Sequence, residues 1–111
     1  MLEHVPAYEA ALAEFFRILK PGGTLIATFP FTDKQQTLVR ARLDGDGSVQ
    51  HIETPEYHGD PISGGVLCFY HFGWDVLAAC DRAGFQKSKM VLAWQPDAGI
   101  LYGHWMMVAT R

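Results

Sequence analysis

Residues 17–31, RILKPGGTLIATFPF, decide how the rest of the chain is read. Lys20-Pro21-Gly22-Gly23 stops a helix and turns the chain, because proline cannot extend a helix and glycine accepts the backbone angles that end one. Upstream, Tyr8, Leu12, Phe15, Phe16 and Leu19 recur at helical spacing, which predicts a helix over residues 6–19 with Pro6 in its first turn. Downstream, Thr24 to Pro30 is a short apolar run. Apolar side chains at odd and even positions alike predict an inner strand of a mainly parallel sheet, covered on both faces. Helix, Gly-rich turn and buried strand make half of a βαβ unit, so the expected fold class is α/β.

The remaining elements follow by their periods. Val39, Ala41 and Leu43 alternate with Leu38, Arg40 and Arg42, and Asp44-Gly45-Asp46-Gly47 supplies a turn. This predicts a hairpin with Leu43 opposite Ser48 and Val39 opposite Ile52, Arg40 and His51 sharing the other face. Thr54 to Gly65 reads as a loop by its Pro and Gly content. A second helix is expected over residues 74–83, with Leu77, Cys80 and Ala83 as its stripe and Gly84 as its left-handed terminator. Strands at 88–94 and 104–110 close the chain, joined by a linker compatible with an antiparallel return. Phe15, Phe16, Phe29, Trp74, Phe85, Trp94 and Trp105 sit at core-like spacings.

At 111 residues and 49% apolar composition, the chain suits one packed domain. A net charge of -3 argues against a nucleic-acid partner, which usually meets a basic face. No basic region followed by an apolar run opens the sequence, and no apolar stretch approaches the roughly 20 residues of a membrane span. Cys68 and Cys80 lie in apolar surroundings and read as buried free thiols. A cytoplasmic protein without membrane attachment is the expectation.

Three ordered stretches carry a resemblance: Leu2-Glu3-His4-Val5-Pro6, then Arg17-Ile18-Leu19-Lys20-Pro21-Gly22-Gly23, then Phe29-Pro30-Phe31. Together with HFGWDVLAACDRAGF at residues 71–85, they resemble the class I S-adenosylmethionine-dependent methyltransferases, specifically the type 11 methyltransferase domain. The resemblance covers the carboxy-terminal half of that domain. It implies a partial Rossmann-like methyltransferase fold: strands five to seven, the last one antiparallel between the other two, flanking helices, and a hairpin-and-loop insertion at 34–65 within the single domain 1–111. Methyl transfer to a small-molecule acceptor is the implied activity of the intact enzyme.

In that family the first residues here lie at the end of the fourth strand, beside the cofactor and acceptor. Glu3 and His4 are therefore the implied cofactor-side residues, and His4 the candidate general base where an acceptor proton must leave. The insertion and its flanks make Phe31, Tyr57, His58, Asp60 and His71 candidates for substrate binding. Spacing alone, H-x-D with a distant His71, predicts no metal set. Arg40 and Arg42 offer a grip for an anionic substrate, but two arginines on a hairpin read more readily as a solvated face. Family members hold S-adenosylmethionine with a glycine-rich turn after the first strand and an acidic residue ending the second. No such turn follows a strand anywhere in this sequence, since Gly45 and Gly47 belong to the hairpin turn. The isolated chain is thus expected to be inactive and to bind no cofactor. Its bare sheet edge predicts a homodimer or a partner chain that supplies the front half. The alternative is a non-catalytic dimerisation or binding module.

Overall fold

A computed structural model describes residues 1–59 and 62–111. The chain begins with a 3-10 turn, Leu2–His4, followed by helix α1, Tyr8–Ile18. β1 spans Thr24–Ala27. A string of short strands comes next: β2 Leu38–Val39, β3 Ala41–Leu43, β4 Val49–His51, β5 Tyr57–His58, β6 Val66–Leu67 and β7 Tyr70–His71. Helix α2, Val76–Ala83, leads into β8, Lys87–Gln95, and β9, Ile100–Thr110, which are separated by the 3-10 turn Pro96–Ala98. The architecture is mixed α/β with small antiparallel sheets and two helices. No described helix is long and apolar enough to cross a membrane.

α1 starts two residues later than its pattern predicts, because Ala7 keeps non-helical angles and only its carbonyl joins the helix. Its C-terminal carbonyls meet a partner from the far end of the chain. The Arg111 guanidinium donates to Phe16 O and Arg17 O at 3.0 Å each and also to Leu19 O. It lies 4.6 Å from the centroid of the Phe16 ring. A cation at the negative end of a helix satisfies the orphan acceptors there. α2 ends on Gly84 in the left-handed region, φ 109°, as the sequence predicts. Phe85 folds back beneath that end and meets Phe16 edge-on at 5.4 Å.

The three-stranded sheet runs β1-β9-β8, with β9 antiparallel to both neighbours. β1 is therefore an edge strand of an antiparallel sheet, not an inner strand of a parallel one. Leu25 and Ala27 face the helices opposite Ala109 and Met107, whereas Ile26 points the other way and is 64% exposed. Apolar residues at every position fix burial on one face only when no neighbour covers the second.

β1 also ends early. Beyond Ala27 the backbone leaves β9 and turns toward residue 72: Phe72 N–H donates to Pro30 O at 2.8 Å and Thr32 N–H to Phe72 O at 3.0 Å. Phe31 forms a parallel bridge with Phe72. The expected strand at 24–30 thus splits between two partners, and the split opens a gap against β9.

The hairpin pairs Ala41 with His51, Arg42 with Gln50 and Leu43 with Val49, one residue off the expected register. Asp44 N–H closes on Ser48 O at 2.8 Å and Gly47 N–H on Asp44 O at 2.9 Å. A loop of three residues therefore replaces the four needed for Leu43 to face Ser48, and Val39 pairs with Tyr70 instead. The 54–65 stretch is not all loop, since β5 within it pairs with β6. Trp94, expected in the core, is 65% exposed.

One apolar cluster joins these parts. Leu12 of α1, Val76, Ala79 and Cys80 of α2, and Ala27, Met107 and Ala109 of the sheet pack with Leu2, Ala41, Phe69, Tyr70 and Phe72 from the chain start and the insertion side. Cys68 and Cys80 are free and buried.

Candidate functional site

Two features meet at Glu3. The first is a cavity of about 550 Å3 in the gap where β1 leaves β9, lined by Thr28 to Phe31, Gly103 to Trp105, Met1 and Glu3. Two of its lining rings, Phe31 and Trp105, cluster with Trp74, which does not itself line the cavity. Phe31 stands edge-on to Trp74 at 5.1 Å and 5.4 Å from Trp105, and the two tryptophans are 5.8 Å apart. Trp74 Nε1 is anchored to Asp33 O at 3.0 Å. A concave, partly aromatic gap with a carboxylate at its rim suits a small organic molecule with a polar handle.

The second feature is a cluster of histidines and carboxylates. The Leu2–His4 turn docks on residues 67–69: Phe69 N–H donates to Glu3 O at 2.7 Å, and His4 Nδ1–H donates to Leu67 O at 2.8 Å. That docking aims Glu3 and His4 at the β5–β6 pair. His4 Nε2 lies 3.4 Å from Glu3 Oε1, and His58 Nδ1 lies 4.0 Å from the same oxygen. The two imidazoles meet edge-on at 5.1 Å. Glu3 is only 7% exposed, and its other oxygen accepts from the Met1 ammonium. Burial works to raise the Glu3 carboxyl, but the Met1 hydrogen bond, a backbone hydrogen bond and the His4 field prevail and hold it below its usual range.

Glu56 organises the far side of this cluster. Its Oε1 accepts from His58 Nε2 at 2.6 Å, and its Oε2 lies 3.0 Å from His71 Nε2 and 3.3 Å from Arg40 Nη2. Hydrogen bonds from His58 and then His71 pull the Glu56 carboxyl down to about 2, against a smaller desolvation effect. Arg40 is not on a solvated face: its side chain is largely buried, donating also to Thr54 O at 2.7 Å.

The expected site residues therefore divide. Glu3, His4, His58 and His71 belong to one cluster. Phe31 belongs to the cavity, which touches the cluster through Glu3. Tyr57 is exposed and neighbours neither by any hydrogen bond or ring contact found among the described residues. Asp60 lies outside the described residues. Glu56 is a site residue with no separate signal of function in the sequence beyond its spacing from His58, and Arg40, which reads more readily as part of a solvated face, joins it in the cluster. Glu56 and His58 are two apart on an extended segment, and such residues share a face. That spacing was the available signal. The spacing of His58 and His71 predicts no metal set, yet Glu3, His4 and His58 each bring one ligand atom within 4.8 Å of the others, as do Glu56, His58 and Cys68.

The Glu56 network also sets an acid dependence. A carboxyl lowered in the folded state stabilises above its ordinary pKa and loses that contribution as pH falls from about 4.5 toward about 2. Solvent screens this partly exposed group, so Glu56→Gln should cost about 1 kcal/mol or less at pH 7. Urea unfolding of both forms between pH 7 and pH 2.5 checks this. The difference should shrink through the acid range, and a constant difference would count against the role given to Glu56.

Comparison with protein-family models, curated proteins and solved structures finds no match to this chain.

Proposed function

We propose that this chain is the acceptor-side half of a class I S-adenosylmethionine-dependent methyltransferase domain, acting in the cytoplasm on a small-molecule acceptor. The observation that supports this reading most is the order β1-β9-β8, with the final strand antiparallel between two strands that run parallel to each other. α2 precedes β8, and α1 precedes β1 through the Pro-Gly-Gly turn, as in the resembled domain. The cavity at the carboxyl end of β1 would take the acceptor, with Phe31 and Trp105 as its apolar wall and Glu3 at the rim.

The residues present do not fit the cofactor. The glycine-rich turn that holds the cofactor in the resembled domain follows its first strand, and no strand of this chain, whose β1 corresponds to the fifth, is followed by a glycine-rich turn that opens a helix. No step through S-adenosylmethionine is assigned to this chain alone. Titration calorimetry with S-adenosylmethionine tests the reading in two arms. The chain alone should show no micromolar binding, and a chain extended upstream to include a glycine-rich turn should bind at micromolar concentration. Failure of the extended chain to bind would overturn the proposal.

A second reading, a non-catalytic dimerisation module, draws on the β1 edge. Ile26 stands exposed there beside Val108 on the sheet face turned away from the helices. Edge strands of this kind favour pairing with another chain. Dimerisation without cofactor binding by any extended form would favour this reading.

A further inference from the structure

We propose that this chain pairs with a second copy of itself through the free edge of β8, the two β8 strands running antiparallel about a twofold axis near Leu92. The inference does not rest on the methyltransferase reading. β8 closes one side of the sheet order β1-β9-β8, and among the described residues no strand pairs with its far side. A front half joined to this chain would cover β1, at the opposite side, so β8 stays an edge in either reading. A strand edge presents a row of unpaired N–H and C=O groups, and natural sheets blunt it with charge, proline, a bulge or a short length.

β8 carries little of this protection. Its register with β9 is regular from Lys87 to Ala93, and the irregularity comes only after it. Lys87 and Lys89 stand exposed at its start, but from Met90 to Met106 the only Asp, Glu, Lys or Arg is Asp97. Beyond Lys89 the exposed side chains of the strand are Leu92, Trp94 and Gln95. Leu92 is 52% and Trp94 65% exposed, and Leu101 and Tyr102 of β9 are also more than half exposed. Trp94 is held in place, its Nε1–H donating to Leu101 O at 3.2 Å. Four large apolar side chains exposed on one nearly uncharged hairpin make the kind of patch that marks an interaction surface.

Charge points to a second copy as the occupant. Lys87 and Asp97 stand five residues to either side of Leu92. Antiparallel pairing centred on Leu92 therefore brings Lys87 of each copy opposite Asp97 of the other. Two attractive pairs then flank the contact, with Leu92 and Trp94 of both copies between them. Both side chains are available for this, since neither forms an ion pair among the described residues. A parallel arrangement would instead set Lys87 beside Lys87, and like charges across a strand pair destabilise it. One patch serving both copies is the pattern of a closed twofold contact.

Sedimentation equilibrium of the whole chain is the test. A monomer–dimer equilibrium with a dissociation constant of about 10 µM or tighter is expected. Leu92→Lys places two ammonium groups at the axis and should weaken pairing at least about tenfold. Lys87→Asp and Asp97→Lys should each weaken it at least about threefold, and the double variant should restore it. Ile26→Lys, on β1, should leave it unchanged, which separates this contact from pairing at the β1 edge. A chain still monomeric at about 200 µM, unchanged pairing in Leu92→Lys, or no recovery in the double variant would each overturn the proposal. So would loss of the dimer in Ile26→Lys, or a monomer that binds phosphatidylcholine vesicles through this hairpin. The charge swap alters only exposed side chains, so it decides the matter even if Leu92→Lys does not fold.

Discussion

Phe72→Ala should destabilise the domain by about 3–5 kcal/mol, the range for emptying a fully buried phenylalanine site. The ring is completely buried and forms the hub of an aromatic group. It lies 5.1 Å from Tyr8 of α1, 4.6 Å from Phe29 of the cavity lining and 5.6 Å from Tyr70 of β7. These neighbours belong to three different parts of the chain, so collapse around the vacated volume is resisted and the cavity term is kept. The Phe72 backbone also holds Pro30 and Thr32, which ties the same residue to the course of the chain past the cavity. Urea unfolding measures the loss. A change below about 1 kcal/mol would mean that this hub does not carry the core.

The second large effect is expected at Gly73. A Cβ there would sit 2.6 Å from the carbonyl carbon of Gln36, 2.6 Å from Lys34 O and 2.7 Å from Gln36 O. All three are backbone atoms, so no side-chain rotation relieves the clash. The segment they belong to is bound tightly to the start of α2. Trp74 N–H donates to Lys34 O at 2.8 Å, Asp75 N–H to Gln35 O at 3.1 Å, and Thr37 Oγ1 to Asp75 Oδ1 at 2.6 Å. Gly73→Ala must push residues 34–37 away and break part of this set, costing about 3 kcal/mol or more. Because Trp74 meets Phe31 edge-on beside this segment, its fluorescence should change with the loss of stability. Stability within about 0.5 kcal/mol of the parent would refute the close approach.

The parts of this fold that were legible in the sequence are those set by local period and punctuation. α1 follows from the Tyr8, Leu12, Phe15, Phe16 stripe, its end from Pro21, and the end of α2 from Gly84. The β8–β9 return follows from two apolar runs around a turn. What escaped depends on partners distant in sequence. Whether the apolar run from Thr24 is an inner or an edge strand is decided by its neighbours, and β9 supplies only one. The hairpin register depends on a single residue of turn length. The site shows the same division. Glu3-His4 and Tyr57-His58 are each visible as pairs, but their meeting is fixed by Leu67 and Phe69 holding the chain start across more than sixty positions. No spacing rule in the sequence encodes that contact.

The coding DNA immediately upstream of Met1 tests the central proposal most directly. A methyltransferase domain whose acceptor side is this chain predicts an in-frame strand, a G-x-G turn opening a helix, and a second strand ending in Asp or Glu. An in-frame stop codon directly before Met1, with no such stretch, would contradict it and leave the β1 edge as an assembly surface.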